Sequence, residues 1–143
     1  MTRMPDATAP TSQAYLAAAG PEFAALCTAC GKCFDACPLV DSIGLRGTDA
    51  KAVTGGLAQL ARGETGPDAT VAWVGACGKS GLCIAACPQR DRGLNAMMLV
   101  RIARQQAIVT TKQLAAKHDP AAFPRVKTFA RLQLTDEEQK SWL

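Results

Sequence analysis

The sequence predicts an all-α fold, and three observations favour it. Alanine is abundant while aromatic residues make up only 5% of the chain, so the core must be built from small aliphatic side chains. No stretch shows the run of β-branched residues or the strict alternation that is typical of a strand. Several segments instead repeat apolar residues at helical spacing between Gly, Pro and capping residues.

The length of 143 residues suits one domain. Residues 1–11 are rich in Thr, Pro and Asp with no apolar period, which predicts a disordered N-terminal tail. Residues 12–134 are expected to form the helical domain. Residues 135–143 are expected to form a C-terminal helix that caps the domain or docks onto a partner.

The first half of the domain contains clear helix start and stop signals. Ser12 is a candidate N-cap for a helix that reaches Ala19, where Gly20-Pro21 ends it and Pro21 opens a second helix. A further helix is expected to begin at Thr48 or Asp49 and to run to about residue 62. After the break at residues 63–67, Asp68 is the candidate N-cap of a short helix holding Val71, Trp73 and Val74.

The second half continues the pattern. From residue 93 to about 108, apolar residues recur at helical spacing, which predicts a long helix. Residues 110–117 are expected to form another helix, and one more follows Pro120. The last helix is the best marked, because Thr135 and Glu138 form a capping box in which each side chain satisfies a backbone donor of the helix start.

Composition and charge exclude several classes of protein. No segment approaches the roughly 18 apolar residues of a membrane span. The N-terminus lacks the apolar stretch of an export signal, so we expect a cytoplasmic protein. The net charge of +4 is spread along the chain, and no basic stretch is interleaved with aromatic residues, which argues against nucleic-acid binding. In that setting, an odd count of seven cysteines indicates metal ligands or redox groups rather than disulfides.

The first cysteine segment carries a specific metal-binding pattern. It reads Cys27-Thr-Ala-Cys30-Gly-Lys-Cys33-Phe-Asp-Ala-Cys37-Pro38. Three thiolates at this spacing on a tight loop reach three irons of one cubane cluster, and Gly31 permits close approach and positive φ. The fourth cysteine points away and serves a different cluster. A zinc site needs two separated ligand pairs and does not fit this spacing.

The second segment repeats the first with one change. It reads Cys77-Gly-Lys-Ser80-Gly-Leu-Cys83-Ile-Ala-Ala-Cys87-Pro88, with serine where the second cysteine would stand. In the crossed arrangement of two-cluster ferredoxins, the last cysteine of each motif ligates the other cluster. This predicts a [4Fe-4S] cluster on Cys27, Cys30, Cys33 and Cys87, and a second cluster on Cys37, Cys77 and Cys83.

Ser80 leaves two alternatives for the second cluster. A cubane held by three thiolates commonly lacks the iron that faces the missing ligand, which gives a [3Fe-4S] centre. Alternatively, a [4Fe-4S] cluster is completed by the Ser80 oxygen, by water or by another residue. An alkoxide is a harder donor than a thiolate, so serine ligation is less natural. An open iron would act as a Lewis acid.

The second segment and the residues after it resemble a known family. The spacing Cys77-x5-Cys83-x3-Cys87-Pro88, followed by Arg92-Gly93-Leu94-Asn95, is similar to the [3Fe-4S] segment of succinate dehydrogenase and fumarate reductase iron–sulfur subunits. The two-motif layout also resembles the small C subunit of heterodisulfide reductase. Both belong to the α-helical ferredoxin group. Heterodisulfide reductase C subunits typically carry four cysteines in both motifs, whereas this chain has Ser80.

This resemblance covers roughly residues 22–108 and implies an α-helical ferredoxin-like domain with two iron–sulfur clusters. It also implies a role as electron conduit to larger redox subunits, namely a flavoprotein, a catalytic iron–sulfur subunit or both, in a hetero-oligomer. The sequence shows no Gly-rich dinucleotide loop, no P-loop and no nucleophile beside a base, so no catalytic residue is predicted. The alternatives are an enzyme that uses an open iron of the three-cysteine cluster as a Lewis acid and, less favoured, a structural zinc or regulatory iron–sulfur module.

Overall fold

The computed structural model describes residues 11–116 and 119–142, and this part of the chain forms nine α-helices and no strand. The prediction of an all-α fold is therefore confirmed. The parts of our predictions that concern residues 1–10, 117 and 143 lie outside the described residues, and the division into tail, domain and terminal helix stays a prediction. The helices are α1 (Ser12–Leu26), α2 (Lys32–Ala36), α3 (Leu39–Ser42), α4 (Ala50–Ala61), α5 (Asp68–Ala76), α6 (Leu82–Ala86), α7 (Ala96–Val109), α8 (Ala122–Gln133) and α9 (Asp136–Trp142).

Helices α1, α4 and α7 pack against one another and form the centre of the core. Their contact surfaces are built from small and aliphatic side chains, as the composition predicts. The part of the core next to the cysteine segments contains two aromatic residues. Phe34 on α2 and Trp73 on α5 meet edge to face, with ring centroids 5.3 Å apart, and both are buried. This pair fixes the first cysteine segment onto the helix that precedes the second.

The helix start signals are confirmed at two positions. The Asp49 side chain accepts a hydrogen bond from the Lys51 amide (3.1 Å) at the start of α4. At the start of α9, the Thr135 amide donates to the Glu138 carboxylate (2.8 Å) and the Glu138 amide donates to the Thr135 hydroxyl (3.2 Å). The predicted capping box is therefore present.

Two other predicted caps are displaced by one residue. The N-cap of α1 is Thr11, whose hydroxyl accepts from the Ala14 amide (3.1 Å), so Ser12 is the first helical residue. Likewise Pro67 is the N-cap of α5, and Asp68 lies in the first turn. A carboxylate there still favours the helix, because it interacts with the positive end of the helix dipole.

The predicted break at Gly20-Pro21 is wrong, since α1 runs through both residues. Gly20 is buried against α4, and a Cβ added there would lie 1.9 Å from the carbonyl oxygen of Ala61. This close contact keeps the helix on the core. Pro21 removes one helical hydrogen bond, the one that its amide would make to the Ala17 carbonyl. Both residues are exposed, so the freed carbonyl is accessible to water.

The helix predicted for residues 110–117 is also wrong over the residues that the structure describes. Residues 111–116 are irregular, with Lys112 at φ +60°. The Gln113 side chain makes tertiary hydrogen bonds in this irregular segment. It accepts a hydrogen bond from the Gly66 amide (3.1 Å) and donates one to the Gly66 carbonyl (2.9 Å). This segment is therefore bound to the loop that precedes α5. The long helix of the second half is present as α7, and the helix expected after Pro120 is present as α8.

Over residues 11–116 and 119–142, no helix combines the length and the apolar character that crossing a bilayer requires.

Candidate metal centre

The first cysteine segment forms a tight turn between two helices. Cys27 ends α1, and the chain then passes through two residues with positive φ, Ala29 (+53°) and Gly31 (+83°), before α2 begins. The Ala29 amide donates to the Cys27 sulfur (3.4 Å). A Cβ on Gly31 would lie 2.8 Å from the Ala50 Cβ, so the predicted need for glycine is confirmed on both grounds, positive φ and close approach.

The second segment repeats this backbone shape. Cys77 ends α5, Lys79 (φ +61°) and Gly81 (φ +77°) occupy the positions equivalent to Ala29 and Gly31, and α6 follows. Because the two loops have the same conformation, Ser80 stands at the place that Cys30 occupies in the first loop. Ser80 is exposed, and its hydroxyl oxygen accepts from the Leu82 amide (3.5 Å).

Four thiols line one small cavity. They are the four that the sequence assigns to the first cluster: Cys27, Cys30, Cys33 and Cys87. The other walls are largely apolar and include Leu57 from α4, Ala96 and Leu99 from α7, and Leu94 from the chain just before α7. The hydroxyl of Thr54, which also lines this cavity, is satisfied by the Ala50 carbonyl (2.9 Å).

The three remaining thiols line a second small cavity. They are Cys37, Cys77 and Cys83, and Ser80 lies on the wall of the same cavity. The rest of the lining is formed by Leu39, Trp73, Gly78, Lys79, Gly81, Met97 and Val100. The exposure of Lys79 and Ser80 shows that this cavity approaches solvent at its fourth, thiol-free corner.

Each cavity is lined by one cysteine from the opposite motif. Cys37 follows α2 in the first segment but lines the second cavity, and Cys87 follows α6 in the second segment but lines the first. Helices α2 and α6 pack directly against each other, so the cavities are neighbours. All seven cysteines are free thiols. Within the described residues, no three His, Cys, Asp or Glu side chains converge as they would around a single metal ion.

Burial makes these thiols poor acids in the iron-free fold. It raises the pKa of Cys33 to about 12, and the nearby thiols of Cys27 and Cys83 add to the effect. It raises the pKa of Cys83 to about 11, and Cys77 and Cys37 contribute next. The pKa of Cys27 is also raised, again chiefly by burial. Thiolates in these cavities therefore need a cationic partner that replaces their protons.

These pKa values predict that alkaline pH destabilises the iron-free protein. An unfolded thiol titrates near 9, whereas folded Cys33 and Cys83 titrate near 12 and 11. Between the unfolded and the folded pKa, the unfolded state binds fewer protons than the folded state. The contribution of each thiol to the free energy of unfolding is therefore fully present below pH 9 and is lost as pH rises towards its folded pKa. Over that range the folding constant falls by about tenfold per pH unit for each such thiol. Denaturant unfolding of reduced, iron-free protein at pH 8, 9.5 and 11 measures this loss. A Cys33→Ala variant should show a shallower decline, and an equal decline would contradict the assignment.

Some wall residues were not predicted as part of the site. Trp73 was predicted only as part of the short helix before the second segment, and Met97 only as part of the apolar pattern of the long helix after it, but both line the second cavity. Trp73 is buried, whereas Met97 is half-buried because one side of it faces the cavity. A signal was present in the sequence: Met97 and Val100 lie three residues apart, on one face of α7, the α-helix that follows the second cysteine segment.

The donor set fits iron–sulfur clusters. Thiolates are the usual protein ligands of such clusters, and the cavities present four thiols and three thiols with apolar walls behind them. Two loops of the same shape supply these groups at the spacing that cubane clusters require.

Comparison with known families agrees with this geometry. Residues 26–91, slightly less than half of the chain, match the family model of the 4Fe-4S dicluster domain. Searches of curated proteins and of solved structures found no match to the chain. The matched segment begins at the last residue of α1 and ends just after the second motif, so it includes all seven cysteines. The chain thus contains a 4Fe-4S dicluster domain, and what such a domain implies is iron–sulfur electron transfer.

Proposed function

We propose that this protein holds two adjacent iron–sulfur clusters and relays electrons between larger redox subunits, as the iron–sulfur subunit of a heterodisulfide-reductase-like oxidoreductase. The observation that carries the proposal is the pair of neighbouring thiol-lined cavities, each completed by a cysteine from the other half of the domain. When bound there, the clusters supply one-electron transfer at reduction potentials set by their surroundings.

In this proposal Cys27, Cys30, Cys33 and Cys87 hold a [4Fe-4S] cluster. The apolar walls from α4 and α7 exclude water from it, and the positive φ at Ala29 and Gly31 turns the loop around the cavity. Because Cys87 comes from the other segment, this cluster ties the two halves of the domain together. The four thiols lose their protons as they bind.

Cys37, Cys77 and Cys83 hold the second cluster, which we propose to be [3Fe-4S]. Ser80 stands where the fourth ligand would be and is exposed, and its oxygen already accepts a hydrogen bond from the Leu82 amide. That bond and the hardness of an alkoxide disfavour Ser80 as an iron ligand. The alternative within this proposal is a [4Fe-4S] cluster whose fourth iron is completed by a group other than cysteine.

The proposed partners are a flavoprotein, a catalytic iron–sulfur subunit or both, in a cytoplasmic hetero-oligomer where thiols stay reduced. Support comes from the C-terminal helices, which expose large apolar side chains beside basic ones: Phe123 and Val126 on α8 are 59% and 54% exposed, and Trp142 on α9 is 77% exposed. Lys127 lies over the Phe123 ring, 4.8 Å from its centroid. Such a surface fits a partner with an apolar patch bordered by acidic groups.

A second candidate function rests on the exposed position of Ser80. If the second cluster keeps a fourth iron, that iron faces solvent at Ser80 and the chain would act on a substrate by Lewis-acid chemistry. The test is the response of the second cluster to small molecules. Hydroxy acids added to the reduced protein should leave its EPR signals unchanged if the chain is an electron carrier, and a shifted signal would favour the enzyme.

The proposed function is tested by anaerobic purification. We expect brown protein with broad visible absorption and about seven irons per chain, the sum for one four-iron and one three-iron cluster. The oxidised protein should show the EPR signal of a three-iron centre, and reduction should add that of a four-iron cluster. Purification from the native host should yield redox subunits in fixed stoichiometry with this chain. Colourless protein that contains zinc would contradict the proposal.

A further inference from the structure

Helix α8 packs on the loop of the second cysteine segment. The Phe129 ring lies against Gly78, where an added Cβ would be 2.5 Å from the Phe129 Cε2 atom. Gly78 lines the second cavity and does not have positive φ, so glycine is needed there for this contact rather than for its backbone conformation. The equivalent residue of the first loop, Thr28, has a side chain and is exposed. The aromatic cover is thus specific to the second loop.

Arg125 holds the same helix onto the end of α5. Its Nη1 atom donates to the carbonyl oxygens of Gly75 and Ala76, each at 3.3 Å, and these residues directly precede Cys77. Its Nη2 atom is paired with the Asp119 carboxylate. A guanidinium at this position satisfies carbonyls that the helix end leaves without partners.

A third contact joins α8 to the other chain segment that supplies the second cavity. The Thr128 hydroxyl is hydrogen-bonded to the hydroxyl of Ser42, and Thr128 is buried. Ser42 is the last residue of α3, which begins directly after Cys37-Pro38. Helix α8 therefore contacts both the segment that carries Cys37 and the segment that carries Cys77.

We propose that α8, which lies outside the dicluster segment, completes the second cluster site, with Phe129 as its cover and with Arg125 and Thr128 as the residues that hold its two halves together. This proposal rests on the proposed two-cluster function. Its consequence is selective, because the thiols of the first cavity are enclosed by α4 and α7 instead. Removing the cover admits water to the second cluster alone. Water stabilises the extra negative charge of the reduced cluster, so the reduction potential should rise.

The test uses the full-length, anaerobically purified protein and its Phe129→Ala variant. In air, the variant should lose the EPR signal of the second cluster several-fold faster than the unchanged protein, and the potential of that cluster should become more positive. The first cluster in the same sample should keep its decay rate and potential. The matched control is Phe123→Ala on the exposed side of α8, which should change neither cluster.

Two further variants keep the test decisive if Phe129→Ala folds poorly. Gly78→Ala changes no residue of α8 but adds a methyl group that displaces the Phe129 ring, so it should reproduce the selective effect. Combining it with Phe129→Ala should give no additional effect. Arg125→Met should speed the loss of the second cluster in air, whereas Arg125→Lys should restore most of the original rate.

The outcomes separate this proposal from the function on which it rests. If Phe129→Ala accelerated the loss of both clusters equally, or of neither, the role of α8 would be overturned while the two-cluster function stayed intact. A negative shift of the second potential in Arg125→Met with no change in Phe129→Ala would assign Arg125 a purely electrostatic effect and would also overturn the cover. Absence of a second cluster from the unchanged protein would instead refute the proposed function.

Discussion

Replacement of Cys87 by alanine is expected to abolish the four-iron form of the first cluster, although Cys87 belongs to the second motif. The Cys87 thiol lines the cavity of Cys27, Cys30 and Cys33, and a cubane there would be left with three thiols and an opening beside Pro88. We expect the four-iron EPR signal to be lost and the iron content to fall by up to about four atoms per chain. The three-iron signal should persist, because the thiols of the second cavity are unchanged.

The matched variant is Cys37→Ala, which removes the last cysteine of the other motif. It should abolish the three-iron signal and keep the four-iron one, since Cys37 lines the second cavity. The two variants therefore have opposite expected spectra. If each substitution instead removed the cluster of its own motif, the ligands would not be crossed and the ligand assignment would be wrong.

The Ser80→Cys variant is expected to convert the second cluster to an all-thiolate four-iron form. Lys79 and Gly81 have nearly the same positive φ as Ala29 and Gly31, so a thiol at position 80 should be presented to its cavity as that of Cys30 is to the first. Thiolate is the preferred ligand of cluster iron, so the fourth corner should retain its metal. The iron content should rise by about one atom per chain, and the three-iron EPR signal of the oxidised protein should disappear.

The control for this experiment is Ser80→Ala, which removes the hydroxyl without adding a ligand. If Ser80 does not bind iron, this variant should have the same iron content and EPR spectrum as the unchanged protein. A lower iron content in Ser80→Ala would show that the serine oxygen completes a four-iron cluster. An unchanged spectrum in Ser80→Cys would mean that position 80 does not face the cluster.

Much of the candidate site was predictable because its determinants are local. The spacing of Cys27, Cys30 and Cys33 sets how far apart the three sulfurs lie on one turn, and covalent geometry limits the alternatives. The role of Gly31 was recognisable for the same reason, since a tight turn with positive φ favours glycine. Capping at Asp49 and Thr135 likewise depends on residues within one turn of the helix start.

The predictions that were wrong concern segments in which tertiary contacts outweigh local preference. Gly20-Pro21 is a strong local stop signal, yet α1 continues because Gly20 packs on the Ala61 carbonyl of a different helix. Residues 111–116 have no proline or glycine to interrupt a helix, yet Gln113 bonds to Gly66 and holds them in irregular form. In both cases the deciding partner is more than 40 residues away along the chain, as Gly20 and Ala61 show.

The sequence alone predicted the all-α class, the seven candidate thiol ligands and the replacement of the eighth by Ser80. These features were readable because helix periodicity and ligand spacing act within a few residues. The crossed arrangement of two-cluster ferredoxins also predicted how the seven thiols divide between two sites. Only the folded chain revealed the Trp73 and Met97 walls and the packing of Phe129 on Gly78. Those features depend on how helices far apart in sequence pack together. Local helix preferences do not distinguish between the possible arrangements of the helices, and close packing of the core selects one of them.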